Sequence, residues 1–206
     1  MNRTIILILA LVLAGVIGWQ WFSDPVPVIR NPSPLGTSIV CFGDSLTYGT
    51  GASAGMDYPS RLSEMLGEPV INAGVPGDTT GSALRRLDED VLEKDPRIVL
   101  ITLGGNDLKN GVAKEVAFDN LRQITEAIQA KGALVVLGGI DFPIRGRDFG
   151  RAYIAFARDH GVVLIPNIYK GLLGKQSLMS DQVHPNDEGY AVIARKFYEA
   201  VKPYVL

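Results

Sequence analysis

Five short apolar runs, separated by amphipathic stretches, constrain the fold of this 206-residue chain more than any other feature. The runs are rich in β-branched residues and do not alternate with polar ones, which is typical of strands buried on both faces. They cover residues 38–43, 69–73, 97–103, 133–138 and 162–166. Strands that alternate with helices form a parallel sheet with right-handed crossovers. The sequence therefore predicts an α/β fold, a three-layer α/β/α sandwich with a five-stranded parallel sheet.

The stretches between these runs predict where the helices lie. A stripe of Leu84, Leu87 and Val91 predicts one helix, with Thr79 or Thr80 as its cap. Further helices are expected around residues 60–66, 117–128, 153–157 and 190–201. In open α/β sheets ligands bind beyond the carboxyl ends of the strands, so the loops that follow the strands are where a site is expected.

The first 23 residues precede this pattern and predict a membrane or export segment. Residues 4–22 carry no charged side chain, and as a helix rising ~1.5 Å per residue they would span about 28 Å, close to the ~30 Å hydrocarbon core of a bilayer. A transmembrane signal anchor and a cleaved signal peptide are both open readings. Residues 24–37 contain four prolines, at positions 25, 27, 32 and 34, and predict a semi-rigid linker. The domain then comprises residues 38–206.

Charge and cysteine usage argue against a nucleic-acid-binding protein and against a metal site. The net charge is −2, and without a basic stripe the chain is not expected to bind nucleic acid. Cys41 is the one cysteine and lies inside the first apolar run, where packing as a small buried hydrophobe is expected. No cluster of cysteine and histidine has metal-ligand spacing, so no metal site is predicted.

Polar residues gather in four loops, each of which follows a predicted strand. The loops read Gly-Asp-Ser-Leu at 43–46, Asn-Ala-Gly-Val-Pro-Gly-Asp-Thr at 72–79, Gly-Gly-Asn-Asp at 104–107 and Asp-Gln-Val-His-Pro at 181–185. Each tract alone has an ordinary turn composition. Because all four fall at the same edge of one parallel sheet, together they predict one catalytic site.

Ser45, His184 and Asp181 are the expected triad of that site. A serine hydroxyl needs a base to remove its proton, and histidine has a suitable pKa. The alternative histidine, His160, lies at a predicted helix end, where a cation is favoured by the helix dipole. Asp181 can turn back to hold one imidazole nitrogen of His184, which leaves the other nitrogen for Ser45.

A tetrahedral intermediate also needs hydrogen-bond donors for its oxyanion. The expected donors are the backbone N–H of Ser45, the backbone N–H of Gly77 and the side-chain amide of Asn106. At Gly77 the missing side chain is expected to allow close approach.

These motifs closely resemble the four blocks of the SGNH (GDSL) hydrolase superfamily, and the resemblance extends from residue 38 to the C-terminus. Ser45, Gly77, Asn106 and His184 match the Ser, Gly, Asn and His of the blocks, with Asp181 as the third triad member. The phrasing of the blocks is most similar to the bacterial acyl thioesterase, arylesterase and lysophospholipase group. That resemblance implies the flavodoxin-like SGNH hydrolase fold and an acyl-enzyme on Ser45, formed from short-to-medium acyl esters or thioesters without a metal or organic cofactor.

The long apolar N-terminus departs from that group, whose members are usually free in the periplasm. With an anchor, the chain would sit in the bacterial inner membrane with its catalytic domain in the periplasm. After cleavage it would be soluble in the periplasm or secreted. The protein is expected to be a monomer whose partners are a small acyl-ester or lipid substrate and the membrane.

The substrate groove and the reaction class are the most open points. Leu108, Ile140, Phe142 and Ile144 follow the third and fourth strands, and they either line an apolar groove for the acyl chain or pack under their own loops. A carbohydrate O-deacetylase of the same superfamily is an alternative to an acyl esterase. A catalytically silent envelope binding module is a second alternative, although such a protein would not need all five motif residues.

Overall fold

Five parallel strands form one sheet in the order β2-β1-β3-β4-β5. Their bounds are β1 Ser38–Gly43, β2 Val70–Gly74, β3 Pro96–Thr102, β4 Leu134–Gly138 and β5 Val163–Ile165. Every predicted strand is present, and the bounds differ from the prediction by about a residue. The middle of the sheet is buried on both faces because helices cover it above and below, which explains the unbroken apolar runs. The predicted α/β sandwich with a parallel sheet is confirmed.

The computed structural model describes residues 28–142 and 147–205, apart from the side chain of Arg147. The predicted membrane or export segment, residues 1–23, lies outside these ranges, as do residues 24–27 of the predicted linker. In the two described ranges, no helix combines the length and apolar character that a membrane span requires.

The helices are numbered here in chain order. Their bounds are α1 Ser45–Tyr48, α2 Tyr58–Leu66, α3 Thr80–Arg85, α4 Leu87–Asp90, α5 Gly105–Asn110, α6 Lys114–Ala130, α7 Arg147–His160 and α8 Asp187–Val205, with 3₁₀ turns at Leu92–Lys94 and Gln176–Leu178. Helices α2 and α8 pack together, as do α3 with α6 and α6 with α7. Right-handed crossovers in this strand order place the two groups on opposite faces of the sheet.

The single helix predicted from Leu84, Leu87 and Val91 is wrong in one respect. Thr79 is its cap, accepting a hydrogen bond from the Ser82 backbone N–H, but the helix is interrupted at Arg86 and continues as α4 and a 3₁₀ turn. At Arg86 the backbone takes φ −108° and ψ 7°. The apolar spacing survives the break because Leu87 and Val91 remain buried.

The described part of the predicted linker, residues 28–37, lies along the domain. The Arg30 N–H donates to the Gly161 carbonyl at 2.8 Å. The side-chain amide of Asn31 donates to the carbonyls of Gln129 and Ala133 at 3.0 and 2.9 Å. These contacts hold the segment against the last turn of α6 and the chain that follows α6 and α7.

The carboxyl ends of β1 and β2 bring α1 into close contact with the sheet. A side chain at Gly74 would clash with the backbone of Thr47 and Tyr48, so the glycine allows α1 to lie directly on the end of β2. Asp44 caps α1 and accepts from the Leu46 N–H at 3.0 Å. Ser45 is therefore held at the first position of a short helix, at the sheet edge where a ligand is expected.

Candidate active site

A pocket of about 410 Å³ opens at the carboxyl edge of the sheet. The four polar loops all contribute to its wall. The lining residues are Asp44, Ser45, Leu46, Thr50, Pro76, Gly77, Thr102, Gly105, Asn106, Lys109, Ile140, Phe142, Tyr169, Val183 and His184. The structure thus brings Ser45, Gly77, Asn106 and His184 to one cavity of a size typical of small-molecule sites.

Ser45 and His184 are in hydrogen-bond contact across 139 residues of sequence. The distance between His184 Nε2 and Ser45 Oγ is 3.0 Å. On the other side of the ring, His184 Nδ1 lies 2.7 Å from Asp181 Oδ2. A hydroxyl, an imidazole and a carboxylate are thus linked in series, an arrangement that can activate a serine hydroxyl.

The Asp181 carboxylate is held by the backbone of its own loop. Its Oδ1 accepts from the N–H groups of Val183 and His184, both at 2.7 Å. These bonds and the contact with the imidazole lower the pKa of Asp181 to about 2, with the His184 side chain as the largest cause. An ionised Asp181 can only accept, so in neutral His184 the proton is on Nδ1 and Nε2 accepts from the Ser45 hydroxyl.

The loop that carries His184 is closed by short-range contacts. Both the backbone N–H and the hydroxyl of Ser180 donate to the His184 carbonyl, at 2.9 and 3.0 Å. The side chain of Asn186 caps α8 by accepting from the Gly189 N–H at 3.1 Å. The start of α8 therefore fixes the loop of His184 from its far side, as the sequence predicts.

Gly77 lies on the pocket wall with φ +88°. A Cβ at this position would meet no atom within 4 Å. The left-handed backbone conformation therefore favours glycine here, and the close approach of a substrate oxygen to its N–H stays a prediction.

The Asn106 amide contacts both neighbouring loops. Its Nδ2 donates to the Asp78 carbonyl at 2.9 Å and, at the longer distance of 3.3 Å, to Asp44 Oδ2. These contacts place Asn106 between the residue after Gly77 and the residue before Ser45. By distance, the bond to Asp78 is the stronger of the two.

Asp44 is a buried carboxyl group at the edge of this cavity. Burial raises its pKa to about 6, while the Leu46 N–H and the nearby His184 act in the opposite direction. The site therefore has two carboxyl groups in opposite environments: Asp44 is buried at the pocket wall, whereas Asp181, which contacts His184 outside that wall, is exposed and accepts three hydrogen bonds. Asp44 was not singled out as a site residue by the sequence, although it stands next to Ser45.

The four residues predicted to form the acyl groove do not all line the pocket. Ile140 and Phe142 line the pocket. Leu108 does not, because it packs against the hydrophobic core, and its neighbour Lys109 lines the pocket instead. Ile144 lies outside the described residues.

Tyr169 and Val183 also line the pocket, and the sequence reasoning missed both. Tyr169 follows the carboxyl end of β5, and the rule that ligands bind beyond the carboxyl ends of parallel strands could have identified it. Val183 lies between the two motif residues Asp181 and His184. Within residues 28–142 and 147–205, no three histidine, cysteine, aspartate or glutamate side chains form a group that could hold a metal ion.

Known proteins are similar to this chain in sequence and in fold. Residues 41–192 match the GDSL-like lipase/acylhydrolase family. Esterase TesA of Pseudomonas aeruginosa is 31% identical over 190 residues, which cover 85% of this chain and 93% of that protein. Thioesterase 1/protease 1/lysophospholipase L1 of Escherichia coli K12 is 31% identical over 176 residues, which cover 82% of this chain and 85% of that protein.

A solved structure of TesA superposes with a TM-score of 0.77 at 29% identity, covering 82% of this chain and all of that one. The matched region contains the four loops that form the pocket. The family resemblance predicted from the motifs is confirmed. The prediction of an enzyme is also confirmed, over the alternative of a catalytically silent binding module. The chain belongs to the GDSL-like lipase/acylhydrolase family and is a hydrolase of ester bonds.

Proposed function

We propose that this protein hydrolyses short-to-medium acyl esters and thioesters through an acyl-enzyme on Ser45. The observation that carries the proposal is the series Ser45 Oγ to His184 Nε2 at 3.0 Å and His184 Nδ1 to Asp181 at 2.7 Å. It is supported by the position of Ser45 and His184 on the wall of a cavity that also presents Gly77 and Asn106.

In the first half of the reaction, Ser45 Oγ bonds to the acyl carbon while its proton moves to His184 Nε2. Asp181 stabilises the resulting imidazolium. The carbonyl oxygen becomes an oxyanion and accepts from the N–H groups of Ser45 and Gly77 and from the Asn106 amide. His184 then returns the proton to the departing alcohol or thiol, and the acyl group stays on Ser45.

In the second half, water attacks the acyl-enzyme and gives its proton to His184. The same donors stabilise a second oxyanion. When this intermediate collapses, the bond to Ser45 breaks, the serine recovers its proton from His184, and the carboxylic acid leaves. Atoms and protons balance with water as the only co-reactant.

The pocket wall favours an acyl substrate over a sugar. Apolar side chains dominate it: Leu46, Pro76, Ile140, Phe142 and Val183, together with the ring of Tyr169. Such a surface stabilises a hydrocarbon chain by about 25 cal/mol per Å² removed from water, whereas a glycan needs many hydrogen-bonding groups. The relatives named as an esterase and as a thioesterase/lysophospholipase support the same choice.

The test is hydrolysis of p-nitrophenyl esters from acetate to laurate by the full-length chain in detergent, beside Ser45→Ala. We expect Ser45→Ala to lose about 10⁴-fold or more in kcat, and the wild type to prefer a chain longer than acetate because the wall is apolar. Equal rates for the two proteins would overturn the mechanism. A preference for acetylated sugars over every acyl ester would favour the deacetylase instead.

We further propose that residues 1–23 anchor a monomeric enzyme in the bacterial inner membrane, with the domain in the periplasm. The support is the uncharged apolar stretch 4–22. Fractionation of a bacterial host should leave full-length protein in the carbonate-washed membrane pellet. A shortened form in the periplasmic fraction would instead show cleavage, and light scattering of the purified protein would test the monomer.

A further inference from the structure

We propose that Arg86 is a positioning residue of the oxyanion hole, because its guanidinium holds the Gly77 loop against the turn that carries Ser45. The inference rests on the function proposed above, in which Ser45, Gly77 and Asn106 supply the oxyanion donors. Arg86 contributes no atom to the pocket wall, so its effect would pass through the loops that it joins.

The guanidinium is fixed on several sides. Its Nε lies 2.6 Å from Asp78 Oδ2 and its Nη1 lies 2.6 Å from Asp90 Oδ2, while Nη2 donates to the Gly43 carbonyl at 2.9 Å. Its Cζ sits 4.4 Å from the centroid of the Phe42 ring. The side chain is only 17% exposed, and a planar fork with this many partners is strongly oriented.

These partners stand next to the proposed oxyanion donors. Gly43 is two residues before Ser45, and Asp78 directly follows Gly77. The Gly43 carbonyl also accepts from the Val75 N–H at 3.0 Å, so Arg86 adds a second connection between the same two loops. The Asp78 carbonyl accepts from Asn106 at 2.9 Å, which extends the connection to the third donor.

The break between α3 and α4 supports this role. An uninterrupted helix would keep its regular i→i−4 hydrogen bonds, whereas at Arg86 the N–H turns to the carbonyls of Ala83 and Leu84. A pair with Asp90 alone, four residues on, forms on any regular helix surface. Here the same guanidinium also reaches Asp78 and Gly43, two groups beyond the helix.

Charge gives Arg86 a second effect on the site. The Asp78 side chain is 9% exposed, and its partners are the Ser82 hydroxyl at 2.7 Å and the guanidinium. Without the guanidinium, a buried carboxylate would lack a counter-charge beside the loop that must stabilise an oxyanion. Loss of Arg86 should therefore raise the energy of the transition state more than that of the bound substrate.

The test compares Arg86→Lys, Arg86→Met and Asp78→Asn with the wild type, all as full-length protein. Concentrations of active enzyme are set by titration with a p-nitrophenyl phosphonate, which counts reactive Ser45. The readouts are kcat, KM for a p-nitrophenyl ester and the inhibition constant of an alkyl trifluoromethyl ketone, which forms an oxyanion on Ser45. Arg97→Lys is the matched control, since Arg97 is a partly buried arginine paired with Glu68 at the opposite end of β3.

We expect the Arg86 variants to lose roughly 10- to 100-fold in kcat per titrated site, with KM nearly unchanged. Ketone binding should weaken in proportion to the loss in kcat/KM, and Arg86→Lys should be the milder change. Arg97→Lys should leave these values unaltered. If the Arg86 variants do not fold, Asp78→Asn tests the positioning role alone, because it weakens the hold on the Gly77 loop without leaving an unpaired carboxylate; a lower kcat and weaker ketone binding per titrated site would support the inference, and unchanged values would overturn it.

Unchanged kcat and ketone affinity per titrated site, with only a lower Tm, would overturn the inference, because Arg86 would then act on folding alone. Failure of the proposed function has a different signature. In that case the wild type would not hydrolyse the ester, or Ser45→Ala would match it, whatever the Arg86 variants do.

Discussion

The two halves of the site are constructed in opposite ways. The base half, Asp181 and His184, forms within one exposed loop, and its partners are three residues apart. The nucleophile half joins loops that are distant in sequence: Asn106 contacts Asp44 across 62 residues, and Arg86 contacts Gly43 across 43. Local contacts hold His184, the proposed base, whereas long-range, partly buried contacts hold the loops of the proposed oxyanion donors.

The two halves of the site also differ in the pKa of their aspartates, Asp181 and Asp44, which shift in opposite directions. Asp181 is 54% exposed in its side chain, and its hydrogen bonds lower its pKa to about 2. Asp44 is buried, and desolvation raises its pKa to about 6. Hydrogen bonds outweigh desolvation in the exposed loop, and desolvation outweighs them at the buried turn.

The largest effect is expected from the base half. Asp181→Asn should lower kcat by about 10³- to 10⁴-fold, because an amide no longer fixes the tautomer or stabilises the imidazolium. Tm should change little, since the residue is exposed. Rates from active-site-titrated enzyme and thermal melts check both points. Asp119→Asn, an exposed aspartate paired with Arg122 on α6, is the control; a similar loss there would contradict the assignment.

The next largest effect is expected from the nucleophile half. Asn106→Ala should lower kcat by about 10²- to 10³-fold with KM little changed, because one oxyanion donor is lost. Ester kinetics measure the split. Asn120→Ala is the matched change, since Asn120 donates to Thr80 Oγ1 at 3.1 Å. A rise in KM at constant kcat would show that Asn106 binds the ground state only.

The smallest effect concerns stability. The folded-state pKa of Asp44, about 6, lies above its ordinary value of 3.8, so the unfolded chain ionises first as pH rises. Wild type should therefore lose stability relative to Asp44→Asn between about pH 4 and 6, by on the order of 2–3 kcal/mol, and the difference should then stay constant. Urea unfolding at a series of pH values measures it. A difference that does not vary with pH would show that the carboxyl is not desolvated.

The contrast between the local and the long-range contacts also explains which features of the fold and site the sequence could predict. The strands were predictable because unbroken apolar runs mark burial on both faces, and Asp181 with His184 were visible because they are close in sequence. The helix break at Arg86 was not, because leucines and a valine at helical spacing fit a continuous helix equally well. At the break the Arg86 guanidinium contacts Gly43 and Asp78, and no local pattern encodes such tertiary contacts.

The exchange of Leu108 for Lys109 at the pocket has a similar cause. Both residues lie on the short helix α5, and a difference of one position, about 100° around a helix, decides which side chain faces the cavity. Hydrophobicity favoured Leu108 for an apolar groove. The core also takes apolar side chains, and here it takes this one.

The span of 139 residues between Ser45 and His184 has a consequence for biogenesis. During synthesis, the chain presents its nucleophile long before its base, and β5 and α8 must be in place before the two side chains meet. Parallel sheets with such distant contacts fold slowly. With Ser45 and His184 in the proposed roles, ester hydrolysis is acquired only at the end of folding, and a nascent or C-terminally truncated chain should lack it. Enzymatic rate can serve as a reporter of completed folding.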